Sequence, residues 1–125
     1  MRIKVIKPKK DAAPKRLRVC AYVRVSAATE ELEESLEAQM DHFQTLITSK
    51  QEWEFVGLYV DNGISGFQNK RPGFQAMMKD ARAGKLDFIL VKSVSRFARN
   101  TETLLKATRE LKSLGIGVYF ELQKI

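Results

Sequence analysis

Four short runs of apolar residues along the chain have the composition of β-strands. They are rich in β-branched and aromatic side chains and are bounded by charged or turn-forming residues. The third run, LDFILV, is almost continuously apolar, which is typical of a strand covered on both faces. The predicted strands cover residues 19–26, 53–60, 86–91 and 116–120.

Three segments between these runs have apolar residues at the three- and four-residue spacing of an amphipathic helix. The first predicted helix covers about residues 29–49. The second begins at Pro72, and the third is capped by Asn100 or Thr101. A glycine, Gly84 or Gly115, ends each of these two helices. The residues expected to face the core are Phe74, Met77, Met78 and Ala81 in the second helix and Leu104, Leu105, Thr108, Leu111 and Leu114 in the third.

The regular alternation of strands and helices predicts the fold class. We expect an α/β fold in three layers, with a mostly parallel four-stranded sheet, right-handed crossovers and helices on both faces. Ligands of such sheets gather outside the carboxyl ends of the strands. Ser26, Asp61 and the segment 92–99 each lie at or just past a predicted strand end, so we expect them to meet at one edge.

The net charge of +7 is distributed unevenly along the chain. Residues 1–18 carry eight basic residues and one acidic residue, so the remaining 107 residues are neutral overall. We therefore divide the chain into a basic arm, 1–18, and a folded domain, 19–125. The arm could contact DNA phosphates without sequence preference, or it could be a solubilising tail without a partner. Within the domain, residues 70–99 hold eight bases and two acids, and these lie among predicted loops.

Cysteine content and hydropathy bear on where the protein works. The single cysteine, Cys20, lies inside the first predicted strand, which excludes an intramolecular disulfide and suits a reducing compartment. No apolar run reaches the roughly 18 residues of a membrane span, and no signal-peptide pattern follows the basic start. We expect a cytoplasmic protein with no membrane partner. His42 has no second histidine or cysteine placed to help it bind a metal, so we predict no metal site.

The first predicted strand places candidate chemistry at its end. Because side chains alternate along a strand, Tyr22, Arg24 and Ser26 are expected on one face. Our prediction places three other residues off that face: Cys20, Val23 and Val25. A guanidinium beside a hydroxyl can bind a phosphate and attack it.

Further cations are expected around the same serine. They are Arg24, Arg71, Lys92, Arg96 and Arg99. Several arginines together favour a phosphodiester and its more highly charged transition state. The base that would deprotonate Ser26 is less evident: Asp61 is one candidate, and electrostatic lowering of the serine pKa by the guanidinium groups is the alternative. The pattern predicts a phosphate-binding module, with a serine nucleophile as one possibility.

Four motifs together resemble one protein family. AYVRVS at 21–26, YVDNGISG at 59–66, KRPGF at 70–74 and ILVKSVSRFARN at 89–100 are similar to the catalytic domain of serine site-specific recombinases, the resolvase/invertase family, and most similar to its large serine recombinase branch. The resemblance covers about residues 17–125. It implies DNA cleavage and rejoining through a 5′-phosphoserine ester, with no metal or nucleotide cofactor.

The resemblance also implies a role for each site residue. Ser26 would be the nucleophile, Arg24, Arg96 and Arg99 would hold the scissile phosphate, and Arg71 and Lys92 would be supporting cations. Four residues would shape the site or contact the substrate: Tyr22, Gln39, Asp61 and Ser95. Ser95 stands where many small resolvases have an aspartate.

The same resemblance implies an assembly with DNA. Family members form homodimers and a synaptic homotetramer on DNA, and their chains continue into a dimerisation helix and DNA-binding domains. We therefore expect residues 19–125 to be a truncated catalytic domain that is monomeric and inactive alone, from a recombinase of a mobile element. The alternative is a non-catalytic DNA-binding or recombination-accessory protein. A phosphoacceptor regulatory module would need clustered acids at the strand ends, which this chain lacks.

Overall fold

A computed structural model describes residues 16–25, 35–62, 71–98 and 100–122 of the chain. The strands are β1 Leu17–Val25, β2 Trp53–Asn62, β3 Phe88–Val91 and β4 Gly117–Phe120. The helices are α1 Leu36–Thr48, α2 Pro72–Arg82, the single turn α3 Val94–Phe97, and α4 Thr101–Ser113.

The four strands form one parallel sheet in the order β2-β1-β3-β4. The long strand β1 lies inside the sheet and pairs with β2 on one side and with β3 on the other. In this order the chain moves from β1 to β2 in one direction and from β3 to β4 in the opposite direction. The reversal falls between β1 and β3, where ligands of open parallel sheets usually bind.

Helices cover both faces of the sheet, as predicted. On one face, Phe43 and Ile47 of α1 pack with Val19, Ala21 and Val23 of β1. On the other face, β1 packs against α2, α3 and α4. The helix residues buried there are Met77, Met78, Ala81, Phe97, Ala107 and Leu111. The predicted three-layer α/β fold is confirmed, and the described sheet is entirely parallel.

Strand β2 contains a bulge beside β1. The register runs from Val19 opposite Phe55 directly to Cys20 opposite Gly57, so Val56 is the additional residue. Gly57 has a φ of 149°, a backbone conformation that glycine adopts more readily than other residues. Phe55 packs toward the α1 face, and Leu58, three positions further on, packs toward the same face. The bulge therefore reverses the alternation of side chains along β2.

Several element boundaries and side-chain directions differ from prediction. Strand β1 begins at Leu17, so Leu17 and Arg18, assigned to the basic arm, belong to the sheet. Cys20 lies on the same face as Tyr22, because even-numbered positions of β1 share that face; our placement of Cys20 was wrong. Leu105 and Leu114 are 43% and 41% exposed, so their predicted inward orientation is also wrong. Residues 1–15 of the arm, and residues 29–34 of the first predicted helix, lie outside the described parts of the chain.

The amino end of β1 is fixed to the neighbouring loops by arginine side chains. Arg18 donates to both carboxylate oxygens of Asp87, at 3.0 and 3.1 Å, and to the carbonyl oxygen of Gly84 at 2.7 Å. These contacts lie at the end of the sheet opposite the carboxyl ends of the strands. They raise the pKa of Arg18, chiefly through the hydrogen bonds to Asp87. No helix in the described ranges is long and apolar enough to cross a membrane.

Candidate active site

The candidate site lies at the carboxyl ends of β1, β2 and β3. Strand β1 ends at Val25, immediately before the predicted nucleophile Ser26. Ser26 and Arg99 themselves lie outside the described residues. The described part of the site consists of side chains at the ends of these strands and in the neighbouring helices.

Asp61, near the end of β2, is a hydrogen-bond acceptor for two neighbouring elements. Its Oδ2 accepts a hydrogen bond from the hydroxyl of Tyr22 at 2.6 Å. Its two oxygens also accept from the backbone N–H groups of Gly73 at 2.7 Å and Phe74 at 2.9 Å. These N–H groups belong to the first turn of α2 and have no partner within the helix. Asp61 thus caps α2 across a gap in sequence and holds it against β1.

The hydroxyl of Tyr22 is buried within the same group of side chains. Tyr22 is fully buried, and Asp61 is only 6% exposed. Burial, followed by the hydrogen bond to Asp61, raises the pKa of the Tyr22 phenol above its ordinary value. The phenol therefore stays protonated at neutral pH and remains the donor to Asp61.

Arg71 joins this group to α3. Its residue immediately precedes α2 and has φ 44° and ψ 64°, a left-handed conformation that is uncommon for residues other than glycine. The guanidinium donates from Nε to the Tyr22 hydroxyl at 3.3 Å and from a terminal nitrogen to the carbonyl oxygen of Phe97. It also lies over the ring of Phe74, with Cζ 3.9 Å from the ring centroid. Only 7% of Arg71 is exposed.

Arg24 reaches α3 from the other side. Its Nε donates to the carbonyl oxygen of Arg96 at 3.2 Å, and a terminal nitrogen donates to that of Ser95 at 2.5 Å. Arg24 lies opposite Asp61 in the register of β1 and β2. The side chain crosses from the end of β1 to the turn that follows β3. Arg24 and Arg71 therefore contact three successive carbonyl groups of α3.

The remaining predicted site residues lie around this turn or on the opposite face. Lys92 directly follows β3 and is half-buried, as is Arg96. Ser95 is exposed, and its hydroxyl lies 3.1 Å from that of Ser93. Gln39 is buried in the first turns of α1, the helix on the other face of the sheet. Among the described residues, no group of three or more histidine, cysteine or acidic side chains is arranged to hold a metal ion.

Comparison with known proteins identifies the family. The sequence model of one protein family, described as the resolvase N-terminal domain, matches residues 19–125. This chain belongs to the resolvase family of serine recombinases. A resolvase family site-specific recombinase from Streptococcus pneumoniae is 32% identical, with 84% of this chain and 72% of that chain covered at a TM-score of 0.67. No curated protein matches the sequence.

Two further structures are similar in fold. The N-terminal catalytic domain of TP901-1 integrase has a TM-score of 0.68 at 24% identity, covering 83% of this chain and 76% of that chain. The C-terminal catalytic domain of ISC1926 TnpA, an IS607-like serine recombinase, has a TM-score of 0.70 at 20% identity, covering 86% and 71%. The predicted membership of the serine recombinases is confirmed.

This resolvase-family domain brings most of the described candidates together. The residues joined by direct contacts are Tyr22, Arg24, Asp61, Arg71, Ser95 and Arg96. Two contributors to the site were missed by sequence reasoning: the ring of Phe74, expected only in the core, and the carbonyl oxygen of Phe97. Backbone carbonyls carry no signal in a sequence. Phe97 is marked only by its position between two predicted site arginines.

Proposed function

We propose that this domain cleaves and rejoins DNA strands in site-specific recombination, with Ser26 as the nucleophile. The Ser26 hydroxyl gives up its proton and its oxygen attacks the phosphorus of a DNA phosphodiester. The bond from phosphorus to the 3′ oxygen breaks, the 3′ oxygen takes a proton, and a 5′-phosphoserine ester remains. Rejoining is the reverse reaction with a new 3′ hydroxyl. No metal or nucleotide cofactor is required.

One observation carries this proposal: in a resolvase-family domain, the end of β1 is fixed against the turn that bears Arg96. Arg24, two residues before Ser26, makes this contact directly. Guanidinium groups stabilise the additional negative charge of a phosphoryl transition state. We assign Arg24, Arg96 and Arg99 to the scissile phosphate, with Lys92 as a supporting cation. Arg71, which the resemblance implies is a second supporting cation, is only 7% exposed. We therefore assign it to shaping the site, together with Tyr22, Gln39, Asp61 and Ser95.

The contacts of Asp61 argue against its candidacy as the general base. Its carboxylate already accepts from a phenol and two backbone N–H groups. Taking a proton from Ser26 would break part of this arrangement and release the first turn of α2. We therefore favour electrostatic lowering of the Ser26 pKa by the nearby guanidinium groups over proton transfer to Asp61.

The proposed partners follow from the reaction. The substrate is DNA, and the basic residues that precede β1, within residues 1–15, would add contacts to its phosphates. We propose that the recombinase with this domain works in the cytoplasm on a mobile element, as a homodimer that forms a homotetramer when two DNA sites are joined. The domain of residues 19–125 alone is expected to be monomeric and inactive. Sedimentation of this chain, with a stable tetramer as the contrary result, tests that expectation.

The test of the nucleophile is a covalent adduct. The recombinase that carries this domain is incubated with DNA containing the joined ends of its element and then denatured. We expect an adduct on Ser26, located by peptide mass spectrometry, and none for Ser26→Ala. Ser49→Ala is the matched control, because Ser49 follows the last turn of α1, away from the site. Firm DNA binding with no adduct, together with unchanged behaviour of Ser26→Ala, would instead favour the accessory-protein function.

A further inference from the structure

The single turn α3 cannot satisfy its own carbonyl groups. It has four residues, Val94–Phe97. Among the described residues, Ser93 accepts backbone hydrogen bonds from Arg96 and Phe97, and Val94 accepts one from Ala98. The last carbonyls of a helix form its negative end. In α3 the last three carbonyls are those of Ser95, Arg96 and Phe97.

All three of these carbonyls accept hydrogen bonds from arginine side chains. Arg24 donates to Ser95 at 2.5 Å and to Arg96 at 3.2 Å, and Arg71 donates to Phe97. The two guanidinium groups come from different places in the fold: Arg24 from β1, and Arg71 from the residue before α2. They close on the negative end of α3 from two directions, which is favourable for both charge and hydrogen bonding.

The surroundings of Arg71 hold its guanidinium in this orientation. Its Nε is directed to the buried hydroxyl of Tyr22, and its plane lies over Phe74. Its backbone adopts a left-handed conformation, which fixes the direction in which the side chain leaves the chain. With 7% exposure, Arg71 has little surface to offer a phosphate. Its position is that of an internal support.

We propose that Arg71 and Arg24 form a clamp on the carbonyl groups of α3, and that Arg71 is a positioning residue that acts on the reaction through Arg96. This rests on the proposed function, since Arg96 is the phosphate ligand assigned there. A lysine retains the charge but cannot donate along two fixed directions as a guanidinium does. The clamp therefore depends on the planar fork of arginine, and not on positive charge alone.

Amide hydrogen exchange in this 125-residue chain tests the clamp without any DNA. In Arg71→Lys, we expect the amides of Arg96, Phe97 and Ala98 to exchange about tenfold faster, because α3 opens more often once a carbonyl loses its partner. Unchanged exchange in these amides would overturn the clamp. If Arg71→Lys does not fold, Arg24→Lys is the second variant, with the same expected result and the same contrary one.

Arg18→Lys is the matched control for both variants. Arg18 is another arginine of β1 whose guanidinium donates several hydrogen bonds, but its partners Asp87 and Gly84 lie at the opposite end of the sheet. We expect Arg18→Lys to leave exchange in α3 as it is in the unmodified chain. Faster exchange in α3 in this control too would mean that loss of stability, and not the clamp, is being observed, and would overturn the assignment.

A double-variant comparison tests the link to Arg96. In the recombinase that carries this domain, we measure the rate of cleavage of bound DNA for Arg71→Lys, Arg96→Gln and both together. If Arg71 acts through Arg96, the double variant is as slow as Arg96→Gln alone; independent contacts with the phosphate would multiply the two losses and contradict the positioning role. Different results contradict the two proposals. DNA cleavage by Ser26→Ala would contradict the assignment of Ser26 as the nucleophile, whereas unchanged amide exchange in Arg71→Lys would contradict the clamp.

Discussion

Asp61 links three elements through one carboxylate. It accepts from Tyr22 on β1 and from two backbone N–H groups of α2, while it belongs itself to β2. Hydrogen bonds to a charged acceptor are stronger than those between neutral groups, and a buried donor left without a partner is costly. The contribution of Asp61 to stability should therefore exceed that of an exposed helix cap.

Replacing Asp61 by asparagine tests this contribution. One carboxylate oxygen becomes an NH₂ group, which cannot accept from Tyr22 or from the first turn of α2. We expect Asp61→Asn to lower the free energy of unfolding by about 2 kcal/mol. Tyr22→Phe, which removes only one of the donors, should cost less. Urea denaturation at pH 7 measures both, and equal stability of Asp61→Asn and the unmodified chain would contradict the cap.

The sequence singled out Asp61 and Arg71 as candidate site residues, but it did not predict their contacts. Each was a candidate because it lies next to a strand end or within a motif. The direction of Arg71 was not foreseeable, since it depends on a left-handed residue and on a carbonyl of α3. Neither the backbone conformation nor the carbonyl position is written in the residue type. Arginine next to phosphate and arginine next to a helix end give the same sequence pattern.

At the scale of the elements, the first turn of α2 lies close against the backbone of β2. A Cβ atom at Gly73 would lie 2.5 Å from the carbonyl oxygen of Val60 in β2. That oxygen belongs to the backbone of a paired strand and cannot move aside cheaply. Gly73 thus lets the first turn of α2 come close enough for Asp61 to reach its N–H groups.

The matched prediction compares two glycine substitutions. Gly73→Ala should destabilise the domain by more than about 2 kcal/mol, because α2 must move away from β2. Gly84→Ala meets no atom within 4 Å but has a φ of 77°, so its cost should be about 1 kcal/mol. Thermal unfolding followed by circular dichroism ranks the two variants. The reverse order would mean that α2 is not packed as closely as described.

Sequence periodicity predicted the helices but overestimated the inward face of α4. Leu105 and Leu114 fit the apolar spacing but are substantially exposed, whereas Leu111 is fully buried. Strand β4 has only four residues and lies at the end of the strand order. It offers α4 too little surface to cover a wide stripe. The width of the buried face of a helix depends on the size of the surface beneath it. The spacing of apolar residues in the sequence does not show that size.

At the scale of the whole molecule, the phenols of Tyr22 and Tyr59 and the thiol of Cys20 are expected to make the free energy of unfolding fall at high pH. Burial, the larger cause, and a hydrogen bond to a carboxylate raise the pKa of Tyr22 and of Tyr59, and burial raises that of the Cys20 thiol to about 12. Each group holds its proton more tightly in the folded chain than in the unfolded one. Their stabilising contribution is therefore complete below the ordinary pKa values, near 9 for the thiol and 10 for the phenols, and is lost as pH rises above them.

The expected result is a fall in the free energy of unfolding between pH 8 and pH 11. Urea denaturation across this range measures it, and an absorbance titration is expected to show Tyr22 and Tyr59 ionising above the ordinary pKa of a phenol. Tyr22→Phe should make the fall shallower. A free energy that stays level to pH 11 would contradict the raised pKa values.

The order of the strands is the part of the global fold that periodicity leaves open. Alternating strands and helices predicted a parallel sheet, but the same pattern is compatible with other strand orders. The resemblance to serine recombinases implied the resolvase-like catalytic domain, and the family match confirms it. The position of the reversal between β1 and β3 then explains why the loops after these strands carry the candidate chemistry.

The additional residue in β2 has a consequence for sequence change in this domain. Phe55 and Val60 both face α1, although their numbers differ in parity, because Val56 shifts the phase of the strand by one. Asp61 meets Tyr22 only in the shifted phase. If the same residues paired with β1 without the bulge, Phe55 opposite Val19 would place Asp61 opposite Val25 instead of Arg24 and turn it toward α1, with every side chain of the site still present in the sequence. The number of residues in β2, and not only their identity, therefore decides whether Asp61 reaches the site.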